Sequence, residues 1–179
     1  MPKTICPKCK NEISPKTTTC MYCEFNFKRW QLESMSRDND KMKRCAAAND
    51  PDTPASVLKI LSCDTDMFVR SSTAHNPSTP TCVLEKLSGD TNICVRTGVA
   101  LNPRTPPCAL EKLSKDDFSL VRSHIARNPR TPKRALEKML GNGNVGEMKA
   151  MINDMMHNPR APISAMHTAI ESVRRKMGK

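Results

Sequence analysis

The sequence predicts a mostly α-helical chain: a right-handed superhelical solenoid of about five 26-residue helical repeats, capped by a small zinc-ribbon-like module. Two observations predict it. Pro54, Pro80, Pro106 and Pro132 stand 26 residues apart, and Pro162 follows after 30. Ahead of them lie two Cys-x2-Cys pairs in a segment too short for a core of its own. Composition agrees: 37% apolar and 3% aromatic residues are thin for one globular core but tolerable where each unit buries only a stripe against its neighbours.

The module spans residues 1–29. Cys6-Pro-Lys-Cys9 and Cys20-Met-Tyr-Cys23 are separated by ten residues, and two such knuckles bring four thiolates into a tetrahedron. The intervening Ile-Ser-Pro-Lys-Thr-Thr-Thr reads as a β-hairpin, which favours zinc, with iron or an iron–sulfur cluster as the alternative. Such knuckles usually carry Gly after the second cysteine; here Lys10 and Glu24 hold those places. Four thiolates leave no open coordination position, so the site reads as structural. Nine cysteines behind a start with no hydrophobic secretion stretch point to reduced thiols and a cytoplasmic protein. No apolar run approaches the roughly 20 residues that span a bilayer.

The repeat array spans 30–179. Each proline closes a near-identical phrase: Asp-Pro-Asp-Thr-Pro, Asn-Pro-Ser-Thr-Pro, Asn-Pro-Arg-Thr-Pro twice, and Asn-Pro-Arg-Ala-Pro. Leu58, Leu84, Leu110, Leu136 and Met166 come four residues later, and Leu61, Leu87, Leu113 and Met139 three after that. In each unit the Thr-Pro pair reads as a helix start, Thr capping and Pro at the first helical position. A second helix, around Ile93 to Leu101 in one unit, offers Val95, Val99 and Ala100. Asn-Pro then forces an extended or turn geometry. Helices this short do not stand alone, so stacking must bury their stripes. Leu32, Met35, Asp38, Asp40 and Arg44 carry the register back to Trp30, so the module abuts the first helix as an end cap.

The pattern Val-Arg-x2-(Thr/Val/Ile)-Ala-x-Asn-Pro-x-Thr-Pro-x3-Leu-x2-Leu-x2-Asp resembles the leucine-rich repeat variant family over residues 30 to about 170. The resemblance implies alternating α and 3-10 helices (α/3-10) without a sheet, and a protein-binding scaffold. Some relatives carry an N-terminal cysteine-ligated iron–sulfur cluster. The last unit departs from the pattern: Met151-Ile152 replaces Val-Arg, after a glycine-rich four-residue insertion.

The excess of cations is uneven. Residues 1–44 hold 10 basic and 5 acidic residues, 45–95 hold 3 and 6, and 96–179 hold 16 and 7. Arg104, Arg130 and Arg160, in the Asn-Pro-Arg phrase, should line one edge, with Arg127, Lys133 and Arg134 nearby; this basic edge is the candidate binding site. Arg70, Arg96 and Arg122 should instead pair with Asp64, Asp90 and Asp116 in the loop before each. Cys45, Cys63, Cys82, Cys94 and Cys108 read as small core or half-buried residues, and the methionines after Met139 as core of an imperfect last repeat. Gly141-Asn-Gly-Asn-Val-Gly146 reads as the loop that absorbs the insertion, since no strand precedes it. No nucleophile–base pair, clustered carboxylates or open metal site appears. The expected function is therefore a non-enzymatic metal-binding scaffold for a macromolecular partner, a protein first. The alternative is nucleic acid gripped by its phosphates, because one Trp and one Tyr offer little for base stacking. No membrane partner is expected.

Overall fold

In a computed structural model, residues 4–14, 19–141 and 145–177 are described. These residues are mostly helical. Strands β1 (Thr4–Ile5) and β2 (Glu12–Ile13) pair antiparallel. Eleven helices follow among the described residues: α1 (Phe27–Met35), α2 (Lys41–Asn49), α3 (Ala55–Leu61), α4 (Met67–His75), α5 (Thr81–Leu87), α6 (Ile93–Leu101), α7 (Pro107–Leu113), α8 (Ser119–Arg127), α9 (Lys133–Gly141), α10 (Val145–Met155) and α11 (Ile163–Met177). The expected 3-10 segments are α-helical instead: α3, α5 and α7 are seven-residue α-helices. None of the described helices is long and apolar enough to cross a membrane.

The longer helices form a row, α2 on α4, α4 on α6, α6 on α8 and α8 on α10. The periodic apolar positions make the core. Leu58, Leu84, Leu110 and Leu136 are fully buried, as are Val69, Val95 and Val121, and Ala48, Ala74, Ala100 and Ala126. Met139, Met148, Met151, Met155 and Met166 fill the core of the last units, while Met156 points to solvent. Of the five other cysteines, only Cys45 is half-buried; Cys63, Cys82, Cys94 and Cys108 are exposed, because their positions fall off the buried stripe.

The phrase between helices holds the row together. Asn76, Asn102, Asn128 and Asn158 are buried. Each Nδ2 donates to two carbonyls of the preceding unit: Asn102 to Ala74 (2.8 Å) and Asn76 (2.9 Å), Asn128 to Ala100 (2.8 Å) and Asn102 (3.2 Å). Each Oδ1 accepts the N–H two residues on, as from Arg104 (2.9 Å) and Arg130 (3.0 Å). The threonine does not cap the helix that follows. Pro54, Pro80 and Pro106 hold the N-cap position without a side-chain cap bond. Thr79, Thr105 and Thr131 send their hydroxyls backwards to carbonyls at the end of the preceding helix, Thr73, Val99 and Ile125, at 2.6–2.7 Å. A buried hydroxyl needs a partner, and those last-turn carbonyls otherwise accept only the long C-cap N–H bonds of Asn76, Asn102 and Asn128, at 3.2–3.3 Å.

The arginines pair forwards, not with the loop before them. Arg44, Arg70 and Arg96 each make a two-pronged contact with the aspartate 20 residues on, Asp64, Asp90 and Asp116. The preceding loop supplies backbone carbonyls instead; Arg70 Nη1 donates to those of Asp64 (2.9 Å) and Thr65 (3.0 Å). Desolvation opposes ionisation of Asp90 and Asp116. The bonds from Arg70 and Arg96, with the N–H groups of Asn92 and Phe118, outweigh it and hold both carboxyls below their ordinary value. A carboxyl depressed in the folded state contributes stability above its unfolded pKa of about 3.9 and loses it as pH falls further. These two carboxylates should thus add nothing to any change in the urea midpoint between pH 7 and 5 and should lower it below about pH 4, and Asp90→Asn should lower it at pH 7 while shrinking that acid drop.

Candidate metal centre and binding surfaces

The two knuckles share one backbone pattern. Cys6 N–H donates to the Asn11 carbonyl (2.9 Å) and Lys10 N–H returns to the Cys6 carbonyl (2.9 Å). Cys20 N–H to Phe25 and Glu24 N–H to Cys20, both 2.8 Å, repeat it. Lys10 and Glu24, which stand where glycine is usual, adopt the left-handed conformation, at φ 62° and 54°. Such a conformation costs a residue with a Cβ roughly 1–2 kcal/mol, so something must enforce it. Pairing runs across each knuckle: Thr4 with Ile13 around the first, Thr19 with Asn26 around the second. The hairpin expected between them has its tip, residues 15–18, outside the described residues.

Cys6, Cys9, Cys20 and Cys23 converge, their four Sγ atoms all within 4.8 Å of one another. Cys6 to Cys23 and Cys9 to Cys20 are 3.6 Å, too long for a disulfide. A tetrahedral ion with metal–sulfur bonds of about 2.3 Å sets its sulfurs about 3.8 Å apart, so the four residues fit a single ion. The thiols differ in acidity. Desolvation disfavours the Cys6 thiolate, but the N–H groups of Cys9 and Lys8 overcome it and bring that thiol to about 7. Desolvation, and then contact with Cys9, push the Cys23 thiol up to about 12. Four thiolates at this spacing repel one another unless a cation lies between them. Cys6 and Cys20 are fully buried, and four sulfurs complete a tetrahedron, so the centre is suited to holding structure rather than to activating water.

The module is joined to the helices directly. Asn26 accepts the Arg29 N–H (2.8 Å) as N-cap of α1, which starts at Phe27, three residues ahead of the expected boundary. The Phe25 ring lies 5.2 Å from Phe27 and 6.3 Å from Trp30. Lys28 reaches forward to Asp50 and Asp52, tying α1 to the first inter-helix phrase.

The basic edge divides in two. Arg104, Arg130 and Arg160 are exposed and have no carboxylate partner among the described residues. Arg104 Nη1 reaches the Pro77 carbonyl (3.3 Å) and Arg160 Nη1 the Arg130 carbonyl (3.4 Å), so successive phrases lie side by side. The other three are engaged within the chain: Arg127 with Asp154 (2.6 Å), Arg134 with Glu111, and Lys133 with Glu137 (3.9 Å).

A second surface was not visible in the motifs. Met42, Phe68, Cys94 and Leu120 stand 26 residues apart, one each on α2, α4, α6 and α8, and all are exposed. Beside them, one turn on, lie Cys45, Ser71, Thr97 and Ser123, all uncharged and half-buried. Gly98 allows the close approach here, since a Cβ would sit 2.9 Å from that of Ala74 and 2.7 Å from His75 Nδ1. The signal was available as a 26-residue spacing of apolar residues off the core stripe.

No known protein family, curated protein or solved structure matches the chain.

Proposed function

We propose that the chain is a non-enzymatic adaptor: a zinc-bearing four-cysteine module capping a right-handed superhelical solenoid of leucine-rich-repeat-variant-type units, whose row of longer helices binds a protein. The largely neutral face with Met42, Phe68 and Leu120 exposed in register carries this reading. Apolar side chains among small neutral ones suit the core of a protein interface, with Lys41 Nζ 5.5 Å from the centre of the Phe68 ring. Sulfurs within 4.8 Å of one another support one zinc ion over an iron–sulfur cluster, whose irons and sulfides would hold its thiolates farther apart.

A second reading, nucleic-acid binding, is favoured by the unpaired row of Arg104, Arg130 and Arg160. One comparison tests both. Wild type, Phe68→Glu/Leu120→Glu and Arg104→Gln/Arg130→Gln/Arg160→Gln are used as bait in extract of the source cell, with and without nuclease. The adaptor reading expects a protein set that survives nuclease and disappears only with the glutamate pair. Capture lost to nuclease and to the arginine triple would sink it in favour of nucleic acid. In that case duplex affinity should fall with salt at a log–log slope of about −0.9 per phosphate, flattened by up to about three contacts in the triple variant.

A further inference from the structure

The Asp–Arg ladder has one step that no aspartate completes. In the other three, Nε and Nη2 grip the next unit's carboxylate, at 2.6–2.7 Å and 3.1 Å, while Nη1 holds two loop carbonyls. Arg122 keeps the second half, with Nη1 to the carbonyls of Asp116 (2.7 Å) and Asp117 (3.0 Å). Its side chain is nearly as sunken, 20% exposed against 13–17%. The register that supplies Asp64, Asp90 and Asp116 falls next on Asn142, a neutral residue outside the described ones. Among the described residues no carboxylate is within hydrogen-bond reach; Glu147 Oε1 stands 3.7 Å from Nη2.

The array opens at this step. A cavity of about 490 Å³ is lined by the cations Arg122 and Lys115, the carboxylates Asp117 and Glu147, and the apolar Met139 and Met151. A second, of about 390 Å³, shares Arg122, Glu147 and Met151 and adds Leu120 and Ala150. Asp116 also borders the first, but Arg96 neutralises it.

We propose that Arg122 and these walls bind a carboxylate carrying an aliphatic body, its two oxygens placed as those of Asp64, Asp90 and Asp116 are in the other steps. The guanidinium is pre-oriented by its two carbonyls, and its Nε–Nη2 edge matches a carboxylate in two prongs. Holding that sunken cation with only the more exposed Glu147, 3.7 Å away, as counter-ion is costly, which favours an occupant. Methionines shape themselves to an aliphatic body. Glu147, half-exposed, is a placeholder that the ligand displaces. The carboxylate belongs to a free small acid or to a partner chain; the chemistry is the same, and the site shares Leu120 alone with the row of exposed apolar residues.

The test is NMR of the Arg122 Nε–Hε resonance, assigned by its loss in Arg122→Lys, with Arg96 as internal reference. The probes are isobutyrate and a short peptide whose only carboxylate is that of its C-terminal leucine, with the peptide amide as blank. A saturating shift at Arg122, absent at Arg96 and absent with chloride at equal ionic strength, is expected. Glu147→Gln should tighten binding by about two- to fivefold, as removal of a partly exposed competing ion pair would. Saturation by isobutyrate alone assigns a small acid, by the peptide alone a partner chain, and either supports the site. No saturable shift with either probe, in wild type and Glu147→Gln alike, or an equal response at Arg96, overturns it.

Discussion

Replacing Asn102 by Ala is expected to destabilise the array by about 3–5 kcal/mol, as much as hollowing out a buried leucine. Asn102 is 2% exposed and is held by three hydrogen bonds: Nδ2 to the carbonyls of Ala74 and Asn76, and Oδ1 from the Arg104 N–H. Truncation strands the Ala74 carbonyl and the Arg104 N–H between adjacent units and takes one of two donors from the Asn76 carbonyl, which keeps the Thr79 N–H (3.1 Å); each buried orphan costs about 1–3 kcal/mol, less whatever water recovers. Asn102→Asp should be no better, since a carboxylate donates to neither carbonyl. Arg104→Gln, two residues away, keeps its backbone N–H and should stay within about 0.5 kcal/mol of wild type. Urea unfolding followed by circular dichroism checks all three. A loss below about 1 kcal/mol for Asn102→Ala would mean that the ladder records the stacking and does not hold it.

This asparagine shows where sequence reasoning stopped. The apolar register was legible because burial repeats with the helix period: Leu58, Leu84 and Leu110 are where the spacing puts them, and α6 has the bounds read from it. The polar residues of the same phrase were read by local rules. Asn-Pro suggested a turn and Thr-Pro a capped helix start, whereas Asn102 and Thr105 bond to the preceding unit or helix. A local rule sees neighbours in sequence, and these partners are 6 to 28 residues away. The same bias paired Arg70 with Asp64, six residues back, when the stacking brings Asp90 to it from 20 residues ahead. The four cysteines were legible from spacing alone. The left-handed turns at Lys10 and Glu24 were not, because the glycines that normally announce them are missing. The step that Arg122 leaves incomplete became visible only once three completed steps could be set beside it.

Removing metal from the four-cysteine centre should have the largest effect of any single change, confined to one end of the molecule. Elemental analysis of protein prepared without added metal should give about one zinc per chain and no visible absorption; a brown protein would indicate iron and sulfide, and no metal at all would refute the centre. Structural zinc is worth about 10–16 kcal/mol in small modules, more than the few apolar residues of 4–26 can replace, so chelation should unfold them. The helices should persist, since their core of Leu58, Leu84, Leu110 and their equivalents lies beyond the module. Trp30 is the only tryptophan and its ring lies 6.3 Å from that of Phe25, so its fluorescence reports the junction directly. A chelator should change Trp30 emission and expose four additional reactive thiols, while the helical circular dichroism and the Asn102-dependent urea transition move little. Cys9→Ser should reproduce the fluorescence change without chelator, and added zinc should fail to reverse it. If chelation instead melted helices and module together, α1 and the aromatic junction would be transmitting the metal's stability into the whole row, and the module would be a folding nucleus as well as a cap.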